Sequence, residues 1–266
     1  MSLENLFNRI WKQYTELNPD AFRIHSLLEE NGEVVENDHI AYRTLNHPDM
    51  GIEKLAKIFK AYGYEPKGEY HFEAKKLFAI HLENEQDPTQ PKIFISELLL
   101  EKFSKELQDE MNKLVLQVPH DKLEGEEYCT AGRRWEASHA TYQKLYKESE
   151  YAAWFYAYGF CANHFTVNLN TLKSFDEIVE LNQFLMDKGF QMNDSGGLVK
   201  GTPQDYLEQS STMAFQKEMD FADGHFTVPS CYYEFAKRYP LENGRLYQGF
   251  VAKSADKIFE STNQRS

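Results

Sequence analysis

Two segments of the sequence follow the same order of predicted elements. In the first, Asp38-His39 opens a strand, which is followed by a helix and then by Tyr62-Gly63-Tyr64. In the second, Asn163-His164 opens a strand that is followed by a helix and by Lys188-Gly189-Phe190. Further strands complete each copy, so the order β-α-β-β-β occurs twice. We therefore expect two related halves, with the equivalent histidines meeting in the cleft between them.

The rest of the chain is predicted to be mainly helical. Apolar residues recur at helical spacing through residues 3–30, which indicates two N-terminal helices. The repeats occupy about residues 36–100 and 160–252, and residues 101–159 form a helical connector between them. The predicted fold class is therefore α+β, with a single catalytic domain over residues 1–266.

Two boundaries are predicted in the second half. Ser174 has Glu177 three residues later, which predicts an N-cap with a capping box and a helix from Ser174 to Gly189. Residues Leu246–Ala252 are predicted to form the last strand.

The charge balance narrows the choice of partners. The 266 residues include 29 Lys and Arg against 42 Asp and Glu, which gives a formal net charge of −13. Nucleic acid and anionic membranes would be repelled over most of such a surface. A small acidic substrate is compatible with it, because one buried arginine can set the sign of a pocket.

The N-terminus and the cysteines indicate the compartment. Charged residues interrupt the apolar residues of the first helix, so it is neither a signal peptide nor a membrane span. The cysteines are three in number and never form a C-x-x-C pair, which argues against a disulfide framework. We expect a soluble cytoplasmic protein, and the sequence leaves its oligomeric state open.

One carboxylate and two histidines suggest a metal site. Glu234 lies inside an apolar strand, where an ionised group needs a partner. A divalent metal held by Glu234, His39 and His164 would provide one and would leave coordination positions for a bidentate substrate and dioxygen. Glu97 lies in an apolar strand of the first repeat and is a possible fourth ligand. The sequence does not choose among iron, manganese, zinc and nickel.

Arg43 is a candidate substrate-binding residue. It follows His39 by four residues on one strand, so both side chains point to the same face, roughly 13 Å apart along the strand. A guanidinium suits a substrate carboxylate, although a salt bridge to one of the many acids is the alternative. Near Glu234, Tyr232 and Tyr233 alternate between faces, so one of them should face the site.

Three separated motifs carry a resemblance to a known family. Asp38-His-Ile-Ala-Tyr-Arg43, Asn163-His-Phe-Thr166 and Tyr232-Tyr-Glu-Phe235 resemble the signature positions of the 2-oxoadipate dioxygenase/decarboxylase family, long catalogued as a domain of unknown function. That family is distantly similar to the vicinal-oxygen-chelate enzymes, whose paired βαβββ modules form a metal cleft. The resemblance runs over most of the chain and implies the same architecture here.

The resemblance also implies a reaction. Members of the family are non-haem Fe(II) enzymes that convert 2-oxoadipate and O₂ to 2-hydroxyglutarate and CO₂ in lysine breakdown, with no organic cofactor. His39, His164 and Glu234 match the iron ligands, and Arg43 matches the arginine that binds the substrate, which the two histidines also contact. Val251, near the C-terminal end, is predicted to line the substrate pocket. This chain is shorter than better-characterised members between the glutamate strand and the C-terminal strand, where only Lys237 to Gln248 intervenes, and this bears on the choice of substrate.

Two other functions fit the same residues. A glyoxalase-type isomerase would use Glu97 as a fourth metal ligand and a carboxylate as the base in proton transfer. A metal-free protein could bind a small molecule in the cleft, although the intact histidines and glutamate disfavour this.

Overall fold

Helices pack against a single large sheet in this protein. The computed structural model describes residues 2–119 and 123–262, without the side chains of residues 253–256. The predicted domain over residues 1–266 and the predicted connector over residues 101–159 therefore include positions outside the described residues. Helix α1 (Leu3–Leu17) is capped by the Ser2 side chain, and α2 (Pro19–Glu30) begins with proline at its first position.

The first repeat contains one helix and four strands. In chain order they are β1 (Asn37–Leu45), α3 (Ile52–Lys60), β2 (Tyr64–Phe72), β3 (Leu77–Asn84) and β4 (Lys92–Leu98). Helix α3 places apolar residues every three or four positions against the sheet: Ile52, Leu55, Ala56, Ile58 and Phe59. The predicted order β-α-β-β-β is therefore present in this half.

In the described part of residues 99–161, three α-helices precede the second repeat. They are α4 (Lys105–Val115), α5 (His139–Glu148) and α6 (Glu150–Tyr158). Every residue of α6 from Tyr151 to Tyr158 is buried, so this aromatic helix lies in the core. Gly159 ends it at a φ of +69°, and an added Cβ would lie 2.6 Å from the Gly132 carbonyl oxygen, so the turn into the next strand requires glycine here.

The second repeat follows the first with one insertion. Its elements are β5 (Ala162–Asn168), α7 (Ile178–Asp187), β6 (Lys200–Thr202), β7 (Leu207–Ser211), β8 (Gln216–Phe221), β9 (Gly224–Pro229) and β10 (Tyr232–Arg238). Strands β8 and β9 form a separate two-stranded hairpin. Helix α8 (Ala252–Phe259) follows, and a 3₁₀ turn over Glu260–Thr262 ends the described chain.

The eight-stranded sheet has the order β2-β3-β4-β1-β5-β10-β7-β6. Strand β1 runs parallel to β4, and β5 runs parallel to β10, while β1 and β5 are antiparallel to each other. The two repeats thus join side by side at β1 and β5. This pairing brings the first strand of each repeat to the middle of the sheet.

Two predicted boundaries in the second half were wrong. Helix α7 begins at Ile178, and its capping box is made by Glu177 and Glu180 rather than by Ser174 and Glu177. Residues Leu246–Ala252 do not form a strand, because Leu246 makes only an isolated bridge and Ala252 begins α8. None of the described helices is long and apolar enough to cross a membrane.

Candidate metal centre

Three side chains converge on one face at the middle of the sheet. In the register, His39 on β1 lies opposite Thr166 on β5, which lies opposite Glu234 on β10. His164 lies two residues before Thr166 and shares its face. The His39 Nε2 atom is 3.4 Å from His164 Nε2 and 3.5 Å from Glu234 Oε1, and His164 Nε2 is 3.2 Å from Glu234 Oε2. All three side chains are buried.

Both histidines present Nε2 to the centre because their other ring nitrogen is bonded. The Nδ1 of His39 lies 2.8 Å from Asp38 Oδ1, and the Nδ1 of His164 lies 3.0 Å from Asn163 Oδ1. These oxygens are acceptors, so each Nδ1 carries the proton and each Nε2 presents a lone pair to the centre. The Thr166 hydroxyl lies 3.1 Å from His39 Nε2 and can donate to it. Burial lowers the pKa of His39 and lowers that of His164 well below its ordinary value, which keeps both rings neutral.

The third donor, Glu234, is held in a setting that disfavours its charge. Burial raises its pKa to about 8, against the opposing effect of a hydrogen bond of 2.5 Å that Gln209 Nε2 donates to Oε1. Without a cation, a carboxyl with this pKa holds a proton at neutral pH, and a divalent metal can take the place of that proton between the carboxylate and the two imidazole lone pairs. Donor atoms around one transition metal lie roughly 3.0–3.4 Å apart, close to the separations seen here, so the three side chains fit a shared divalent cation.

A buried ion pair between Asp38 and Arg238 lies next to His39, on the side of the ring away from the other two donors. Arg238 donates to both Asp38 oxygens, from Nε at 2.6 Å and from Nη2 at 2.8 Å, while Asp38 also accepts from His39. Burial alone would raise the pKa of Asp38, but the charge of Arg238 and the hydrogen bonds hold it well below its usual value. Asp38 thus stays ionised and fixes the orientation of the His39 ring.

Arg43 lies on the same face of β1, and two of its three nitrogen atoms already donate hydrogen bonds. Its Nη1 donates to Glu150 Oε1 at 2.6 Å, and its Nη2 donates to Thr262 Oγ1 at 3.2 Å. Its guanidinium also lies 4.9 Å from the ring centroid of Tyr151. The salt bridge considered as the alternative is therefore present, and the role of Arg43 toward the substrate stays a prediction.

The cavity beside the three donors is small and mostly apolar. Its volume is about 20 Å³, and it is lined by His39, Phe94, His164, Gln209, Tyr232, Glu234, Phe250, Ile258 and Phe259. The ring of Phe250 lies 4.8 Å from that of His39 and packs edge-on. Val251, the predicted lining residue, does not line the cavity in this conformation; it is the N-cap of α8. Its contact with substrate stays a prediction.

Glu97 lies on the opposite face of the sheet. Strand β4 directs Lys92, Phe94 and Ser96 toward the face of His39, which leaves Glu97 on the side of α3. There it accepts a hydrogen bond of 3.0 Å from the Ile52 backbone N–H at the start of that helix. Among the described residues, only His39, His164 and Glu234 form a group that could hold a metal.

The strand register also gives the true equivalent of Glu234. His39 pairs with Lys92, and His164 pairs with Tyr232, so Glu234, two residues after Tyr232, corresponds to Phe94. The two apolar strands contain glutamates three residues out of phase, which is why the sequence pointed to Glu97. The first repeat thus contributes one donor and the second contributes two.

Sequence reasoning did not assign several residues around the donors. Asp38, Asn163, Gln209 and Arg238 all act through hydrogen bonds within this centre. The pairing of Asp38 with His39 and of Asn163 with His164 was visible as part of the repeat. The matched acceptor before each histidine is the signal that could have identified both as ligand supports.

Replacing Asn163 with alanine is expected to weaken metal binding by about 10- to 100-fold, because the His164 ring would lose the acceptor that fixes its tautomer. Metal affinity can be measured by competition with a chromogenic chelator. Asn31→Ala, at the exposed end of α2, serves as the control and should bind metal as the wild type does. Equal affinity in both variants would show that Asn163 does not support His164.

The sheet has a fold of the vicinal-oxygen-chelate type, and its three donors form a triad suited to a metal. A glyoxalase-superfamily protein from Ralstonia eutropha JMP134 shares the fold, with a TM-score of 0.77 at 20% identity over 92% of this chain and 84% of that one. The predicted α+β fold class is confirmed.

The chain belongs to the 2-oxoadipate dioxygenase/decarboxylase family, whose sequence profile matches residues 3–246. It is therefore an enzyme of the oxidoreductase class. A chloroplastic 2-oxoadipate dioxygenase/decarboxylase from Arabidopsis thaliana is 37% identical over 252 residues, which cover 85% of this chain and 68% of that protein.

Two solved structures are also similar over nearly the whole chain. The hydroxyglutarate synthase of Oryza sativa, solved in complex with 2-oxoadipate, has a TM-score of 0.88 at 34% identity, covering 97% of this chain and 91% of that one. A protein from Shewanella frigidimarina NCIMB 400 that is described as a hydrolase has a TM-score of 0.90 at 49% identity, covering 94% and 98%. The resemblance inferred from the three motifs is confirmed.

Proposed function

We propose that this protein uses Fe(II), held by His39, His164 and Glu234, to convert 2-oxoadipate and O₂ to 2-hydroxyglutarate and CO₂. The observation that carries the proposal is the three-donor centre in a chain of this family. The products together contain all the carbon of the substrate and both atoms of O₂, so no further co-reactant is required. Decarboxylation and hydroxylation of the substrate each supply two of the four electrons that O₂ accepts.

Iron, when bound, would supply a redox-active template on which an oxo acid and O₂ can meet. The residues of the chain supply the setting. The neutral rings of His39 and His164 and the carboxylate of Glu234 leave open positions for other ligands. Arg43 supplies a permanent positive charge on the same face for a substrate carboxylate. Phe94 and Phe250 keep the walls apolar and exclude water.

Substrate binding requires the C-terminal segment to move. A cavity of about 20 Å³ holds about one water molecule, whereas 2-oxoadipate has eleven non-hydrogen atoms. Ile258 and Phe259 of α8 fill the space beside the three metal-ligand candidates. Thr262 accepts a hydrogen bond from Arg43 Nη2, which is then not available to a substrate. We infer that α8 and the following turn shift when the substrate enters.

The glyoxalase-type alternative is less well supported. An isomerase of this type would use four protein ligands. The candidate for the fourth ligand, Glu97, lies on the opposite face of the sheet from the other three. For location, we propose the cytoplasm, on the basis of the three buried free cysteines. The Arabidopsis relative is a chloroplastic protein, so the compartment can differ within the family.

The protein loaded anaerobically with Fe(II) is expected to consume one O₂ for each 2-oxoadipate added and to release equal amounts of CO₂ and 2-hydroxyglutarate. An oxygen electrode and product analysis by mass spectrometry measure this. 2-Oxoglutarate tests the dependence on chain length, and methylglyoxal with glutathione tests the isomerase alternative. Isomerisation of the glutathione adduct without O₂ uptake would overturn the proposed function.

A further inference from the structure

Tyr232 lies between the metal donors and Arg43. It pairs in the register with His164, which pairs with Ala41, so its row lies midway between the rows of His39 and Arg43. Its ring stacks on that of His164 with centroids 4.6 Å apart and an interplanar angle of 26°. Of the two tyrosines before Glu234, it is therefore Tyr232 that faces the cavity.

The Tyr232 hydroxyl is buried and makes no hydrogen bond to any described residue. Five other buried tyrosines of the described chain, by contrast, donate to main-chain carbonyl oxygens at 2.5–3.2 Å: Tyr14, Tyr64, Tyr128, Tyr151 and Tyr158. Tyr42 also lacks an oxygen or nitrogen partner within the described chain, but its hydroxyl lies beside the Cys129 thiol. Burying a hydroxyl without a hydrogen-bond partner costs free energy. We therefore expect a bound ligand to supply an acceptor for the Tyr232 hydroxyl.

A second buried hydrogen-bond donor on this face of the sheet also lacks a partner among the described residues. Arg43 Nε is buried and has no hydrogen-bond partner in the described part of the chain, although Nη1 and Nη2 are held by Glu150 and Thr262. Tyr232 and Arg43 lie on the same face of the sheet, because Tyr232 is level with Ala41, two residues before Arg43 on β1. Two unpaired donors on one face match a group that only accepts, and a carboxylate is such a group.

We propose that Tyr232 Oη and Arg43 Nε together bind a carboxylate of the substrate. This inference rests on the proposed function, because it assigns the two donors to a 2-oxo acid. It makes Tyr232 a substrate-binding residue in addition to Arg43. At neutral pH a tyrosine hydroxyl is protonated and so acts as the donor to an ionised carboxylate.

The test compares Tyr232→Phe with Tyr233→Phe. Phenylalanine removes only the hydroxyl, and Tyr233 is the neighbouring residue on the opposite face, where its ring packs near Trp11 and Tyr14. Anaerobic titration calorimetry of the metal-loaded proteins gives the affinity for 2-oxoadipate and for 2-oxohexanoate, which lacks the distal carboxylate. Bound metal and the melting temperature are measured on the same samples.

Tyr232→Phe is expected to weaken 2-oxoadipate binding by about 10- to 100-fold, the effect of losing a hydrogen bond to a charged group. Its metal content and melting temperature should stay at the wild-type values, since the hydroxyl has no partner in the described structure to lose. Tyr233→Phe should bind 2-oxoadipate as the wild type does. Weaker binding of both oxo acids would assign the pair to the carboxylate next to the keto group, and weaker binding of 2-oxoadipate alone would assign it to the distal carboxylate.

Affinities of Tyr232→Phe within twofold of the wild type for both oxo acids would overturn the inference. A lowered melting temperature or lost metal would overturn it too, because the hydroxyl would then have a structural role. Failure of the proposed function looks different: the wild-type protein would bind the oxo acid without consuming O₂, and the comparison of affinities would still be valid.

Discussion

Replacing His164 with alanine is expected to abolish O₂ consumption with 2-oxoadipate and to remove most of the bound iron. His164 supplies one of three donors, and its Nε2 lies 3.2 Å from the Glu234 carboxylate. Loss of a supporting residue around a metal typically lowers affinity by about 10- to 100-fold, so loss of a ligand should exceed about 100-fold. Metal content after gel filtration and the rate of O₂ uptake measure both effects.

His225→Ala is the matched control, because His225 is exposed on the hairpin of β8 and β9 and lies outside the centre. It should retain metal and activity. Circular dichroism of His164→Ala would establish that the sheet is intact. Wild-type rates of O₂ uptake in His164→Ala would contradict the assignment of this residue as a ligand.

Replacing Arg238 with methionine is expected to destabilise the protein by about 3–5 kcal/mol. The change leaves Asp38 as a buried, unpaired carboxylate, and breaking a buried ion pair from one side has a cost of this size. It also removes two donors to the main-chain carbonyls of Tyr247 and Gly249. Urea unfolding gives the free energy directly, and the loss should appear as a lower midpoint at an unchanged slope.

A double variant tests the physical cause. Asp38→Asn together with Arg238→Met removes the buried charge and should recover part of the lost stability. Lys67→Met breaks an exposed pair with Glu85 and should leave the midpoint unchanged. If Arg238→Met were no more destabilising than Lys67→Met, the buried pair would not contribute to stability as argued.

The sequence was most informative about the histidines, because each repeat has one at the start of its first strand. His39 and His164 open equivalent strands, and the repeat alone was enough to predict that they meet. Glu234 was predicted because a lone acid in an apolar strand needs a partner. The three donors therefore followed from pattern and elementary electrostatics before any contact was known.

The sequence alone did not reveal the register of the strands or which residues far apart in the chain form pairs. The choice of Glu97 as a fourth ligand depended on matching two strands by their acids, and the hydrogen-bonded register aligns them three residues differently. Asp38 and Arg238 are 200 positions apart and meet only because β1 and β10 flank β5. The segment Leu246–Ala252 is not a strand, because its backbone groups bond to side chains: Arg238 donates to the Tyr247 and Gly249 carbonyls, and the Phe250 N–H donates to Tyr70.

Phe94 makes the contributions of the two repeats to the metal centre unequal. A duplicated module with one histidine and one carboxylate per copy would give a symmetric centre, with both halves contributing equally. In this chain the position equivalent to Glu234 holds a phenyl ring, which lines the cavity and offers no lone pair. The first repeat thus contributes one ligand, His39, and one apolar wall residue, Phe94, whereas the second repeat contributes two ligands. On this sheet, a three-donor and a four-donor metal site are one side chain apart.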